Sequence, residues 1–270
     1  MSIERIVIRR HKTKIKTTKG RQKMKKTLAN YKEIIKALPN KKKYTKEDLL
    51  IPQLLIEEED QIKIYYAPHN DYINPKAKIF IIGITPGFEQ MSTAMVTAKE
   101  GLEKGEPLDV IQHKCKVAAR FSGTLRKNMI AMLDEIGLND RLGLTSCSQI
   151  LEERDDLLHT VSVIPYPVFV KNQNYTGHTP KLVKNQFLMK YVRENFIQEI
   201  ECLEHKDEMI LIPLGRAVEE VLEQLQVEGA LGELNILKGF PHPSGANVNR
   251  LKQLEANKEA MQALLEQYIE

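Results

Sequence analysis

Four short apolar runs limit what this chain can fold into. Lys78–Ile84, Thr160–Ile164, Met209–Leu214 and Leu234–Leu237 each end at or near a Gly or Pro. Runs this short, apolar across both alternating faces, predict strands buried on both sides. Helical spacing falls between them. Leu125, Met129, Met132, Leu133 and Ile136 share one face, closed by Gly137. Val183, Phe187, Tyr191, Val192, Phe196, Ile200 and Leu203 share another, with Thr179-Pro180 as the expected start, an N-cap followed by Pro at N1. A helix over Arg216–Leu225 and a C-terminal one from about Asn249 complete the set. Strands alternating with helices predict a three-layer α/β/α fold around a central, mainly parallel four-stranded sheet. Ligands of such folds bind at the carboxyl ends of the strands.

Charge divides the chain. Residues 1–50 hold 17 Lys and Arg against four acids, a net of +13, whereas residues 51–270 hold 23 against 32, a net of −9. This predicts a basic N-terminal extension over 1–50 and an acidic α/β domain over 51–270. Within the extension, residues 3–16 alternate loosely, and Met24, Leu28, Tyr31, Ile34, Ile35 and Leu38 have helical spacing up to Pro39. Arg9, Arg10 and the run Lys41-Lys42-Lys43 fit a phosphate-binding arm, since cations that displace counterions supply sequence-independent affinity for nucleic acid. A solvated tail that aids solubility explains the same residues.

Other classes are excluded. No stretch approaches the roughly 18 apolar residues of a membrane span. No apolar segment follows the basic N-terminus, so no secretory signal is expected. Cys115, Cys147 and Cys202 are odd in number and scattered, which argues against a disulfide framework or a zinc ribbon and for a reducing, cytoplasmic setting. No metal cluster or phosphate-binding Gly-x-x-x-x-Gly-Lys run is evident, so neither metal nor cofactor is expected.

Two loops at strand exits carry the functional signal. One is Gly83-Ile84-Thr85-Pro86-Gly87-Phe88-Glu89-Gln90, the other Gly239-Phe240-Pro241-His242-Pro243-Ser244-Gly245-Ala246-Asn247. Gly and Pro around a small polar residue fix a tight backbone. A His between two prolines is held extended and cannot retreat onto a helix face.

At these loops the sequence resembles the uracil-DNA glycosylase superfamily. Gly83-Ile84-Thr85-Pro86-Gly87 is similar to its first motif and His242-Pro243-Ser244 to its last. Arg120-Phe121-Ser122-Gly123 resembles its Arg-x-Phe-x-Gly segment, one residue short, and Leu211–Ala217 the turn after its third strand. The resemblance spans about residues 66–268. It implies a monofunctional enzyme, acting as a monomer, that extrudes one nucleotide from duplex DNA and hydrolyses its N-glycosidic bond. His242 would donate to the departing base, where negative charge develops. Phe121 would stack on the base. Ser244 and Gly245 would contact a phosphate, and Ala246 and Asn247 would stand where the family inserts a wedge, with Asn247 able to bond the orphaned base.

Departures from the pattern matter. The family's water-activating carboxylate or amide is replaced by Thr85, whose hydroxyl can orient a water but is no strong base. Glu89 is the nearest acid and the expected substitute, though it equally fits a helix first turn; Asp71, Asp155 and Asp156 are further candidates. Gly87 stands where strict uracil enzymes carry a Tyr, so Ile84 and Gly87 would border a pocket open to 5-substituted pyrimidines. Ser162 or Tyr166 would read the base edge in place of the family's Asn. The resemblance thus implies excision of uracil or a modified or mispaired pyrimidine, in repair or in defence against phage with modified cytosines. The loss of the usual acid leaves a second reading open, a catalytically inactive DNA-binding module.

Overall fold

The computed structural model describes residues 26–204, 206 and 208–269. Among these residues eight strands form two sheets. β1 (Leu55–Glu59), β2 (Ile62–Tyr65), β5 (Val168–Val170) and β6 (Gln173–Asn174) pair antiparallel in that order. β3 (Ile79–Gly83), β4 (Leu158–Ser162), β7 (Ile210–Pro213) and β8 (Asn235–Ile236) form the expected parallel sheet, in the order β4-β3-β7-β8.

The parallel sheet shows why its strands are apolar throughout. Side chains alternate across a strand. Phe80, Ile82, Val161 and Leu211 enter one core, whereas Ile79, Ile81, Leu158, Ile210 and Ile212 enter the other. The first core is closed by α1 (Leu28–Ala37), α3 (Phe88–Glu103), α4 (Leu108–Ala119), α7 (Gln186–Tyr191) and α9 (Arg216–Val227), with α2 (Lys46–Leu49) at its edge. The second is closed by α5 (Gly123–Glu135), α6 (Leu138–Arg141) and α10 (Arg250–Tyr268). Helices therefore cover both faces. Among the described residues no helix is long and apolar enough to cross a membrane.

Three expectations need correction. The strand expected over Thr160–Ile164 lies two residues earlier. Val163 and Ile164 are buried, but their N–H groups bond to Gly83 O and Ile84 O as the chain leaves the ladder. The helix expected from Thr179 begins at Gln186. Asn185 caps it, its Oδ1 accepting Leu188 N–H at 2.8 Å, while Thr179-Pro180 is a cis peptide in the preceding loop. That helix then widens into a π-helical stretch, Val192–Phe196, before α8 (Ile197–Glu201).

The third concerns the extension over 1–50. Leu28, Tyr31, Ile35, Leu38, Tyr44 and Leu49 belong to the first core. Tyr31 stacks on Tyr66 at 3.9 Å between ring centroids, and Leu28 N–H donates to Asp71 at 2.6 Å. The apolar face of α1 must be buried, and the α/β body provides the cover. The body thus reaches back to about residue 28. Residues 1–25, with ten Lys and Arg against Glu4, lie outside the described residues.

Candidate functional site

Sheet order creates the site. From β3 the chain returns to β4 on one side, and from β7 it returns to β8 on the other. Loops leaving adjacent strands in opposite directions open a crevice at their carboxyl ends. A cleft of about 910 Å³ lies there, lined by Ile84, Thr85, Gly87, Glu89, Phe121, Ser162, His242, Ser244, Ala246 and Asn247. Both sequence loops and the Phe121 segment thus meet at one cavity.

The His242 loop is held from several directions. Gly215, at φ +85°, follows β7 so close to it that a Cβ there would stand 2.8 Å from His242 Cβ. Asn128 of α5 donates to Pro243 O at 2.8 Å. Ser244 N–H donates to His242 Nδ1 at 3.2 Å, and Ala246 N–H donates to Ser244 Oγ at 3.2 Å. The first of these bonds requires a bare Nδ1, so the neutral ring carries its proton on Nε2. The cleft wall desolvates this ring, and His178 stands nearby; in that order, the two hold its pKa below the ordinary histidine value. The residue keeps solvent access at the rim, with one side of the ring against the cleft wall, and is set as a neutral donor.

Other expected residues take different places. Thr85 lines the cleft, but its hydroxyl donates to Tyr166 O at 2.7 Å and accepts from Val168 N–H at 3.1 Å. Its proton is committed to joining the first loop to β5. Gly87 begins α3, and the Asn174 amide lies 3.7 Å from where its Cβ would be, so Asn174 partly refills that opening. Glu89 is at the rim, 72% exposed, with Oε2 2.7 Å from Lys43 Nζ. Phe121 packs its inner side on the second core. Asn247 Nδ2 turns inward to His242 O and Gln253 Oε1, leaving Val248 and Leu251, at 82% and 63% exposure, as the apolar tip beside it.

Several residues fall elsewhere. Tyr166 does not line the cleft; burial pushes its phenol pKa up, and its hydroxyl bonds both the N–H and the carbonyl of Lys26. Asp71 accepts from Leu28 N–H and Tyr66 Oη, Asp155 from Arg120 and His113, and Asp156 from Arg154. These acids are structural anchors. Gly245 is exposed beside Thr124. Lys41 is spent on Asp48 and Lys43 on Glu89, so only Lys42 of that run has no ion pair among the described residues. Arg9 and Arg10 lie outside the described residues.

The cleft also has a floor that sequence reasoning missed. His69, Asn70, Lys116, Arg120 and Thr160 line it and are all buried. Lys116 Nζ donates to Asn70 Oδ1 at 2.9 Å and Thr160 O at 2.5 Å. Arg120 is anchored by Asp155 at 2.9 Å. Complete burial, with the Lys116 charge as a lesser cause, pushes the His69 pKa down to about 3. Glu219 closes one wall, its oxygens accepting from Arg216 and from Gly239 N–H. His178 faces His242 from the loop after β6.

Fold and site together define an α/β protein with a cleft, apolar over much of its wall and bearing polar side chains at its mouth and floor, at the carboxyl edge of a parallel sheet. No family model matches the sequence. It is 43% identical over 235 residues to YoxB, an uncharacterized protein of Bacillus subtilis (strain 168), covering 87% of this chain and 90% of that one. The chain belongs to the family of YoxB.

Proposed function

We propose that this chain is a DNA glycosylase of the uracil-DNA glycosylase superfamily, acting on uracil or a 5-substituted pyrimidine flipped from the duplex. The observation that carries the reading is the His242 ring, held with Nε2–H as its free donor in the cleft that Phe121 also lines. As the N-glycosidic bond breaks, the sugar gains oxocarbenium character and the bonding pair leaves with the base. Nε2–H stabilises the negative oxygen without a change in net charge. Phe121 stacks on the ring. Val248 and Leu251 fill the gap left in the duplex, the task first expected of Ala246 and Asn247. Water adds to the sugar and gives its proton to Glu89 in this reading; His178 is the competing acceptor.

The locked hydroxyl of Thr85 favours a second reading, a DNA-binding module without catalysis. Abasic-site formation separates the two. Duplexes carrying uracil, mismatched thymine or modified cytosine are incubated with the protein and cleaved with alkali. Breaks at the test base support the enzyme; binding without breaks supports the module. Glu89→Gln and His178→Gln then identify the proton acceptor by which of them abolishes release. Deletion of residues 1–25 tests the arm. It is expected to flatten the dependence of log binding constant on log salt, by about 0.9 in slope for every phosphate that the arm neutralises. Truncation at residue 50 would instead remove core residues Leu28, Tyr31, Ile35 and Tyr44.

A further inference from the structure

We infer that DNA opens the Lys43–Glu89 ion pair at the mouth of the cleft. Lys43 Nζ passes to a backbone phosphate near the extruded nucleotide, and the Glu89 carboxylate is left free to take the proton of the attacking water. The inference rests on the glycosylase reading and adds how its proton acceptor is made available.

The pair joins fixed backbone to free side chains. Tyr44, the residue after Lys43, is buried; its N–H donates to Ser92 Oγ at 2.9 Å, and Ser92 Oγ donates to Tyr44 O at 3.1 Å. Ser92 stands three residues after Glu89 on α3, about one turn along. The loop between α1 and α2 is thereby held against the start of α3, which sets Lys43 beside Glu89. Beyond the backbone both groups are loose. Their side chains are 67% and 72% exposed, with Nζ 2.7 Å from Oε2. An ion pair so exposed contributes little, since water screens the attraction and ordering two long side chains opposes it.

The neighbouring lysines show what a fixed pair looks like. Lys41 Nζ donates to both oxygens of Asp48, at 2.7 and 2.8 Å. Asp48 is 14% exposed and also accepts from Thr45 N–H at 2.9 Å, in the capping box of α2. Lys41 therefore stays in place, whereas Lys43 is bound to an exposed acid. A duplex phosphate competes well for such a lysine, because a cation that binds it releases condensed counterions. Glu89 lines the cleft, so DNA whose nucleotide enters there brings flanking phosphates to the rim where the pair stands. The phosphate attracts Lys43 and repels Glu89, so one approach separates both partners. Without DNA the two charges balance each other; with DNA each takes its own task.

The test uses the full chain. Binding is measured by fluorescence anisotropy over a range of salt, on a duplex with one 2′-fluorinated deoxyuridine, whose electron-withdrawing fluorine resists cleavage by opposing the oxocarbenium ion. Lys43→Gln is expected to lower the slope of log binding constant against log salt by about 0.9, the share of one phosphate, and Lys43→Arg to restore it. Glu89→Gln is expected to bind about threefold tighter than the parent, because Lys43 no longer has to leave a partner. Most of that gain is expected to vanish in the Lys43→Gln background. An unchanged slope in Lys43→Gln, or a Glu89→Gln gain that is equal in both backgrounds or absent from the parent background, overturns the exchange. Excision is then measured on the uracil, mismatched-thymine and modified-cytosine duplexes. Loss of excision in Glu89→Gln supports the task given to the freed carboxylate; excision retained overturns it. Excision by the parent without the coupling overturns the inference and leaves the glycosylase reading standing. Coupling without excision of any base overturns that reading, while the exchange of Lys43 between Glu89 and phosphate stands.

Discussion

The mouth and the floor of the cleft both carry polar side chains, but they are built on different terms. At the mouth, His242, Glu89, His178 and Ala246 are exposed and positioned by loop backbone. At the floor, His69, Asn70, Lys116 and Arg120 sit inside the protein. A polar group in water loses little when altered, whereas a buried one carries the desolvation of itself and its partners. The mouth can therefore change its chemistry at little cost to the fold, and the floor cannot.

Stability measurements can break that contrast. The largest effect is expected for Lys116→Met, which removes the ammonium donor to Asn70 Oδ1 and Thr160 O and should cost about 4 kcal/mol in urea unfolding. A cost below about 1 kcal/mol would mean that the floor is not a buried network.

The next effect is a pH dependence. Folded His69 titrates near 3 against an ordinary 6.5, so the unfolded chain takes up its proton first as pH falls. Stability present above pH 6.5 is then lost between 6.5 and about 3. Between pH 7 and pH 4 the parent should lose about 3 kcal/mol more than His69→Leu. Parallel curves would place His69 in contact with solvent.

Thr85→Val should cost about 1.5 kcal/mol, because Tyr166 O and Val168 N–H lose the hydroxyl that joins them. If unfolding is unchanged while activity disappears, Thr85 regains the water-orienting role expected from its motif position. The smallest effect is expected for His242→Ala, within about 0.5 kcal/mol of the parent, since the residue keeps solvent access at the rim and its ring makes one hydrogen bond, to Ser244 N–H within its own loop. A larger loss would make the His242 loop part of the fold's support.

The same contrast explains what the sequence made legible. Loop residues at the mouth are fixed by neighbours in the chain. Gly, Pro and His-Pro-Ser dictate local backbone, so the loops bearing Thr85 and His242 were legible as tight turns at strand exits, and the structure brings both to one cleft. The parallel strands were legible because burial on both faces leaves an unbroken apolar run. The floor depends on distant contacts. Lys116 lies on α4, where a lysine ordinarily reads as part of a solvated face, and only its partners Asn70 and Thr160 show otherwise. Tyr166 followed the motif's order but is drawn away by the Lys26 backbone. Charge alone set the boundary at residue 50, although the apolar spacing of Leu28, Tyr31 and Ile35 already carried a burial signal.

Whether the mouth performs chemistry on a base is tested most directly by abasic-site formation. The parent and His242→Ala are compared on the same duplexes, with folding verified. Alkali-labile breaks at the test base are predicted for the parent. For the variant, the predicted rate is lower by about a hundredfold or more, as expected on removing one preorganised donor to a developing oxyanion. Equal rates in the two proteins, or DNA binding with no breaks on any duplex, would contradict a catalytic mouth.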